Sequence, residues 1–329
     1  MTQKVLVTGA SGFIAKHITR ELLENGYSVR GTVRSAKRQG EIEALFPDAD
    51  LEFVTLDLTS DEGWDEAMAG VDVLMHTASP FPAADPKDPQ ELIRPAVDGT
   101  LRAVKAAQAA GVNRVILTSS CAAIYKSKGK APEAVSTEDM WTDAEADYVS
   151  AYEASKTLAE KAAWDFVAEH PEMQLTTINP GGVFGPAMDT NFGTSLELVE
   201  QVFNGDFPMY PDMNLPIVDV RDVARMHVRA ISTPESIGRR FAGNAGALHM
   251  VDFAKTLADA YPDRKISTRK APNLLIKMMG MFMPIMKQAA HNLGRNGDVT
   301  ATAAEEVFGF TYIPSKDAVL ASAEFVAAK

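Results

Sequence analysis

Short apolar runs alternate with longer amphipathic segments over the first 180 residues of the chain. Runs typical of buried strands lie at residues 4–8, 28–33, 51–56, 71–77, 114–119 and 174–178. Helical patterns separate them, around residues 14–24, 63–69, 92–110 and 150–169. Because such alternation requires crossover connections, the pattern predicts an α/β fold with a doubly wound, mostly parallel sheet, and ligands bind such sheets at the carboxyl ends of the strands.

The pattern changes after residue 180, where prolines interrupt short segments. A helical pattern over 220–231 and a strand-like one over 240–242 resemble the elements of the first part again. We therefore expect two lobes that share a cleft. The predicted sheet domain comprises residues 1–180 and 217–245, and the smaller, mixed substrate-binding lobe comprises residues 181–216 and 246–329.

Composition and charge exclude several classes of partner. The 329 residues are 46% hydrophobic and carry a formal net charge of −12, which repels nucleic-acid backbones and anionic lipid. The apolar run 274–286 is too short to span a bilayer. The lone Cys121 excludes an internal disulfide, and no Cys/His cluster has metal-ligand spacing. With an N-terminus that lacks signal-peptide features, the sequence predicts a cytoplasmic monomer or homodimer that binds no nucleic acid, membrane or metal.

A glycine-rich turn follows the first strand and opens the first helix. Its glycines permit a tight turn and a close approach of the backbone to a pyrophosphate, which the free amide groups at the helix start would bind. The turn predicts a Rossmann-type dinucleotide site, and an ordinary strand-to-helix turn is the alternative. The predicted contacts are Gly9, Ser11, Gly12, Phe13 and Ile14.

The charge of the stretch after the first helix indicates which dinucleotide, NAD(H) or NADP(H), would bind. An acid after the second strand would bind the ribose hydroxyls of NAD, but residues 25–40 contain none. The same stretch carries four bases, Arg30, Arg34, Lys37 and Arg38. We therefore predict NADP(H) as the cofactor, with Arg34 and Lys37 among its contacts. The alternative is a basic loop that is only solvated.

Residues at other strand ends carry weaker signals. Asp57 and Leu58 follow the third strand and are expected near the adenine ring, although an Asp in such a place is often only a cap. His76 ends the fourth strand and is interpreted as a structural hydrogen-bonding residue. Cys121 is interpreted as a small packed residue, since no partner that would lower its pKa can be named.

The pattern Tyr-x-x-x-Lys occurs three times, at residues 152/156, 261/265 and 312/316. Prolines beside or within the second and third pairs argue against regular helix there, so only Tyr152 and Lys156 are expected to share a helix face. A neighbouring ammonium would lower the pKa of the phenol toward neutrality. Carbonyl reduction requires such a proton donor, and a serine hydroxyl of the sequence Thr118-Ser119-Ser120 would hold the carbonyl oxygen.

Seven motifs occur in one order along the chain: VTGASGFIA, VRGTVRS, HTASPF, ILTSS, YEASKTLAEKAAW, INPGGVFGP and VDVRDVARMHV. In these motifs the chain resembles the extended short-chain dehydrogenase/reductases, and in particular their dihydroflavonol-4-reductase-like group, which includes methylglyoxal reductases and fungal carbonyl reductases. The resemblance runs from about Lys4 to Ile231 and is fainter beyond. Ala15 stands where a third glycine is commoner, and residues 95–100 contain no Asn to complete the proton relay of many members.

The resemblance implies roles for individual residues. It implies Tyr152 as general acid, Lys156 as the residue that adjusts the pKa of Tyr152 and binds the nicotinamide ribose, and Ser120 as the residue that orients the carbonyl. Ser119 is the alternative to Ser120. Further cofactor contacts implied by the resemblance are Thr77, Ala78, Ser79, Thr118, Pro180 and Val183.

The function predicted from the sequence is NADPH-dependent reduction of a small-molecule aldehyde or ketone to an alcohol. Phe81, Tyr148 and Phe184 are expected to contact the substrate. The methionine-rich run 274–287 is interpreted as buried packing, with a substrate-covering flap or a dimer contact as alternatives. Two other functions stay open, a nucleotide-sugar epimerase or dehydratase of the same fold and a non-catalytic NADP-binding regulator.

Overall fold

The computed structural model describes residues 2–80, 86, 88–129, 131, 134–282, 289–294 and 296–328. The strands of its main sheet are β1 (Lys4–Thr8), β2 (Ser28–Val33), β3 (Leu51–Thr55), β4 (Val73–His76), β5 (Arg114–Thr118), β6 (Gln174–Pro180) and β9 (Arg239–Gly243). All seven are parallel, in the order β3-β2-β1-β4-β5-β6-β9. The predicted parallel sheet is confirmed, and because its order reverses between β1 and β4, a crevice opens at their carboxyl ends.

Helices cover both faces of this sheet. One face packs against α1 (Phe13–Glu24), α7 (Val220–Ser232) and α10 (Thr302–Phe308), and the other against α3 (Trp64–Met68), α4 (Gln90–Ala109) and α5 (Ala151–Ala168). Successive residues of β1 alternate between the two cores, since Val5 and Val7 face the first and Leu6 faces the second. This double burial explains why the strands read as continuous apolar runs.

The start of α5 is fixed by a capping box. The Ser150 hydroxyl accepts a hydrogen bond from the Glu153 amide at 3.2 Å, and the Glu153 carboxylate accepts one from the Ser150 amide at 2.7 Å. The helix then continues for 18 residues without proline or glycine. The capping box therefore sets the position of Tyr152, the second residue of the helix.

A second, smaller sheet follows the main one. Its strands are β7 (Gly182–Phe184), β8 (Asn214–Asp219) and β10 (Ala247–His249), with β8 parallel to β7 and antiparallel to β10. Three helices bury its apolar face, namely α6 (Thr194–Asn204), α8 (Met250–Ala260) and α11 (Ser315–Ala327). Strand β7 begins two residues after β6 ends, so this sheet lies beside the carboxyl edge of the main one.

Two segments differ from what the sequence pattern predicts. The basic stretch after β2 contains a helix, α2 (Ala36–Glu43). Helix α9 (Asn273–Gly280), in the methionine-rich run, buries Ile276 but leaves Leu274 70% and Met278 50% exposed, so buried packing is wrong for much of this run. Residues 283–287 of the run lie outside the described ranges. Among the helices of the described chain, none combines the length and apolar character that crossing a bilayer requires.

Candidate active site

An open cleft of about 1410 Å³ lies at the carboxyl ends of β1, β4, β5 and β6. It brings together residues that are up to 188 positions apart in the sequence, from Gly9 to Glu197. Twelve of the predicted site residues line it: Gly9, Gly12, Phe13, Ile14, Thr77, Ser79, Thr118, Ser120, Tyr152, Lys156, Pro180 and Val183. The crossover connections, and not proximity in sequence, produce this arrangement.

The glycine-rich turn has room only for backbone. Gly9 adopts φ +65°, and a Cβ there would lie 3.0 Å from the Cβ of Ala78. Gly12 precedes α1 without a side-chain cap, so the first amide groups of that helix stay available at the cleft. An anion such as a pyrophosphate fits this helix terminus. The Ser11 carbonyl accepts a hydrogen bond from the Asn191 side chain at 2.9 Å, and Ser11 is not among the residues that line the cleft.

The basic stretch of β2 and the segment after it is less positive than its sequence indicates. Arg30 pairs with Glu52 at 2.6 Å, and Arg38 pairs with Glu41 at 2.7 Å. The side chains of Arg34 and Lys37 are exposed, and within the described part of the chain they form no ion pair. The charge available to a 2′-phosphate therefore comes from two residues and not from four.

The neighbouring acid is engaged locally. Asp57 is exposed, and its Oδ1 accepts hydrogen bonds from the Thr59 amide at 2.8 Å and from the Thr59 hydroxyl at 2.7 Å. These bonds, and to a smaller degree the charge of Arg34, hold the pKa of Asp57 below its usual range. Asp57 thus caps its own turn, and Leu58 packs against Gly99 of α4. Adenine contact by either residue stays a prediction.

The three residues predicted to carry the chemistry meet in the cleft. Ser120 caps a short 3₁₀ helix, Cys121–Ala123, and its Oγ accepts a hydrogen bond from the Ala122 amide at 3.1 Å. The same hydroxyl is hydrogen-bonded to the Tyr152 phenol. Lys156 follows one turn after Tyr152 on α5 and lines the same cleft. A serine hydroxyl and a phenol can therefore bind one substrate oxygen from two sides.

The electrostatics of this trio differ from the sequence prediction. Burial raises the pKa of the Tyr152 phenol above its usual range, and the hydrogen bond with Ser120 partly offsets that rise. Burial also lowers the pKa of Lys156 to about 8, while the charge of Glu160 opposes that change. The expectation that Lys156 brings Tyr152 toward neutrality is not met in this structure, because desolvation of the phenol outweighs the influence of its neighbours.

A buried carboxylate that the sequence reasoning missed organises the wall behind this trio. Glu160 accepts hydrogen bonds from the Ser119 hydroxyl at 2.6 Å, the Asn179 amide at 2.7 Å and the Arg240 guanidinium at 2.6 Å. Because Ser119 is engaged with Glu160, Ser120 is the serine that faces Tyr152. The spacing of Tyr152, Lys156 and Glu160, four residues apart each time, is the sequence signal that could have identified it.

Two buried histidines fix threonine hydroxyls at the strand ends. His227 Nδ1 lies 2.8 Å from the Val223 carbonyl and therefore carries the proton, so Nε2 accepts a hydrogen bond from the Thr118 hydroxyl at 2.7 Å. His76 Nδ1 lies 2.9 Å from Thr8 Oγ1. Burial lowers the pKa of His76 to about 3 and that of His227 to about 4. Both rings are neutral at physiological pH, which agrees with the structural interpretation of His76.

The predicted substrate wall needs correction. Phe184 is 1% exposed and packs against Phe253 in the core between the smaller sheet and its helices, so it does not line the cleft. Tyr148 is half-buried and lies outside the cleft lining. Phe81 lies outside the described residues.

Part of the cleft wall that the sequence did not predict comes from the segment that enters α6 and includes Phe192, Thr194 and Glu197. The Lys16 ammonium, buried in α1, anchors this segment through the Asp189 carboxylate and the Asn191 carbonyl. The loop carries no periodic pattern, which explains why sequence reasoning missed it.

Sequence comparison relates this chain to one protein family and to proteins named as reductases. The model of a family described as the NAD dependent epimerase/dehydratase family matches residues 5–246. Cinnamoyl-CoA reductase 1 of Petunia hybrida is 36% identical over 308 residues, which cover 88% of this chain and 90% of that protein. The NADPH-dependent methylglyoxal reductase GRE2 of Saccharomyces cerevisiae is 33% identical, over 78% of this chain and 82% of that protein.

Solved structures with the same fold extend over the whole chain. The crystal structure of yeast methylglyoxal/isovaleraldehyde reductase Gre2 complexed with NADPH superposes with a TM-score of 0.84 at 28% identity, and covers 99% of this chain and 98% of that one. The fold described above, with its seven-stranded parallel sheet and smaller mixed sheet, is therefore shared with a reductase whose structure holds the dinucleotide.

Proposed function

Since the chain belongs to the NAD dependent epimerase/dehydratase family, we propose that it is an NADPH-dependent reductase that converts an aldehyde or ketone to an alcohol. The observation that carries this proposal is the hydrogen-bonded pair Ser120 and Tyr152, which lies in the same cleft as the glycine-rich turn. Similarity to proteins named as reductases from a plant and a yeast supports it.

The residues present fit a dinucleotide. The backbone cradle at Gly9 and Gly12 and the uncapped start of α1 would hold the pyrophosphate, and Arg34 and Lys37 would hold the 2′-phosphate that distinguishes NADPH from NADH. Pro180 and Val183 would line the nicotinamide end of the cleft. When bound, NADPH supplies the hydride that carbonyl reduction needs.

The chain's own groups manage the substrate oxygen. Ser120 and Tyr152 would donate hydrogen bonds to the carbonyl oxygen and so polarise the carbonyl group. As negative charge develops on that oxygen, Tyr152 transfers its phenolic proton to it, and the Lys156 ammonium stabilises the phenolate that remains. The raised pKa of Tyr152 keeps the phenol protonated at neutral pH, as a general acid must be.

Epimerase or dehydratase chemistry finds less support at this site. Dehydratases of this type require an acidic residue beside the Thr/Ser position, where this chain has Cys121 after Ser120. The Cys121 thiol is buried, its pKa is raised by desolvation, and it donates a hydrogen bond to the Asn179 carbonyl at 3.0 Å. Cys121 therefore serves as a packed residue here and cannot replace a catalytic acid.

The test follows NADPH oxidation by absorbance against a panel of aldehydes, ketones and sugar nucleotides. We expect turnover with some carbonyl compounds and none with sugar nucleotides. Tyr152→Phe should abolish turnover and leave NADPH binding, measured by fluorescence titration, nearly unchanged. Turnover retained in Tyr152→Phe would remove Tyr152 from its role, and NADPH binding by a wild-type protein without any turnover would favour the regulator.

A further inference from the structure

We infer that Lys126 and Glu153 form a buried charge pair that positions Tyr152 against Ser120 and balances the charge beside the phenol. The inference rests on the proposed function of Tyr152. Glu153 follows Tyr152 in the first turn of α5, and Lys126 lies shortly after the 3₁₀ helix that Ser120 caps. The pair therefore joins the two elements that carry the reacting hydroxyls.

The pair is buried and closely held. Lys126 is 4% and Glu153 3% exposed, and the Lys126 ammonium lies 2.8 Å from Glu153 Oε1 and 2.9 Å from Oε2. The ammonium also donates a hydrogen bond to the Tyr148 carbonyl at 3.1 Å. Two opposite charges at this depth interact far more strongly than a surface pair, and either one left alone would be costly.

The same carboxylate gathers contacts from both sides of the catalytic pair. Glu153 Oε1 accepts a hydrogen bond from the Tyr125 hydroxyl at 2.9 Å, across from the 3₁₀ helix. Glu153 Oε2 accepts from the Ser150 amide at 2.7 Å, within the capping box of α5. Motion of the 3₁₀ helix relative to α5 would break the bonds of Glu153 with Tyr125 and Lys126 together, while the capping box keeps Glu153 fixed on α5, so the cluster holds Ser120 against Tyr152.

The pair also acts through charge. The carboxylate of Glu153 is among the groups that raise the pKa of Tyr152, and Lys126 is the buried cation paired with that carboxylate. The other titratable groups around the phenol are Lys156 on α5, Cys121 and Tyr125 from the 3₁₀ segment, and the neutral His76 of β4, which faces Lys156. Lys126 and Glu153 are thus an oppositely charged pair in which the carboxylate acts on the phenol and the ammonium compensates the carboxylate.

Two neutralising variants should act in opposite directions. Lys126→Met leaves the carboxylate uncompensated and favours the neutral phenol, so Tyr152 should titrate higher by on the order of one pH unit. Glu153→Gln leaves the ammonium uncompensated and favours the phenolate, so Tyr152 should titrate lower by on the order of one pH unit. The double variant should return near the wild-type midpoint.

The measurement is a spectrophotometric titration of the phenol, taken as the difference between each variant and the same variant carrying Tyr152→Phe. This readout needs no turnover, so it tests the pair even if the proposed reductase activity fails. The pH at which kcat for reduction is lost should move in the same order. Shifts in one common direction, or no shift in either variant, would overturn the inference.

The double variant tests positioning even where a single variant does not fold, because it leaves neither charge unpaired. Its kcat should fall on the order of tenfold while the KM for NADPH stays unchanged. Arg114→Met is the matched control, since Arg114 is a buried cation at the opposite end of β5 that donates to the Gln174 and Ala230 carbonyls. The control should lose stability and keep kcat. A wild-type kcat in the double variant would overturn the inference that the pair positions Tyr152 against Ser120.

Discussion

The two ends of the cleft hold their functional groups in opposite ways. At the catalytic end, each hydroxyl of the sequence Thr118-Ser119-Ser120 is hydrogen-bonded to a side chain from another element, that of Thr118 to His227, that of Ser119 to Glu160 and that of Ser120 to Tyr152. At the predicted adenosine end, Arg34, Lys37 and Asp57 are exposed. The first end is therefore built by burial and hydrogen bonding, and the second by charge in water.

The difference teaches where electrostatic effects are large. Buried groups lose solvation, so their pKa values move far, as those of Lys156, His76 and His227 do. Exposed charges are screened by solvent and salt and change binding only modestly. Substitutions at the catalytic end should consequently have larger effects than substitutions of the same kind at the adenosine end.

Lys156→Met should give the largest effect. We expect kcat to fall on the order of 10²-fold to 10⁴-fold, because the phenolate loses its cation. The thermal midpoint should rise, because a buried ammonium is replaced by an apolar chain of similar length. The gain should be full below pH 8 and shrink as the pH rises from about 8 to 10.5, since the folded wild type then loses the proton that the unfolded chain keeps. A lowered midpoint at pH 7 would contradict the assignment of Lys156 as a destabilising functional residue.

His227→Gln should have the next largest effect, on acid sensitivity. The pKa of His227 is about 4 in the folded state against 6.5 for the free side chain, so stability is complete above pH 6.5 and is lost as the pH falls toward 4. This one group should cost about 2 kcal/mol between pH 7 and pH 5. Chemical denaturation of both proteins at pH 8, 6.5 and 5 measures it. Equal losses in wild type and variant would show that His227 does not contribute.

Arg34→Glu should have a smaller effect at the exposed end. Repulsion of the 2′-phosphate should shift the ratio of kcat/KM for NADPH to that for NADH on the order of tenfold toward NADH. Arg38→Gln is the control, because Arg38 is already paired with Glu41, and it should leave the ratio nearly unchanged. If the two variants change this ratio equally, Arg34 does not bind the 2′-phosphate and the basic stretch is only solvated. The adenosine end would then not act through charge.

Asp57→Ala should give the smallest effect. Its carboxylate caps the turn at Thr59 and lies in solvent, so we expect a change in stability within about 0.5 kcal/mol and less than about a threefold change in KM for NADPH. Thermal unfolding and steady-state kinetics check both. A loss of NADPH binding beyond tenfold would instead mean that Asp57 contacts the nucleotide, and would make the exposed end as sensitive as the buried one.

Local pattern predicted the elements that bear on the site. The strand runs, the glycine turn and the helix of Tyr152 and Lys156 each follow rules of periodicity and capping that act within about ten residues. The other two Tyr-x-x-x-Lys pairs were correctly set aside, since Tyr261 lies at the C-terminal cap of α8 and Tyr312 lies between helices. The division into lobes at the stated residues stays a prediction.

The wrong predictions concern long-range contacts. Phe184 lies in a core because β7 turns it toward Phe253 of α8, which no local pattern shows. The predicted direction of the pKa shift of Tyr152 was also wrong. The spacing to Lys156 indicated a lowered pKa, whereas burial of the phenol raises it.

The sequence by itself determined the order of strands and helices, the glycine cradle and the helical pairing of Tyr152 with Lys156, because backbone geometry and apolar periodicity are local properties. Only the tertiary structure decided which serine faces the phenol, which basic side chains of the stretch after β2 are paired with acids, and that Lys126 is buried against Glu153. The physical reason is that desolvation and pairing depend on which distant segments exclude water from a group, and folding alone brings those segments together.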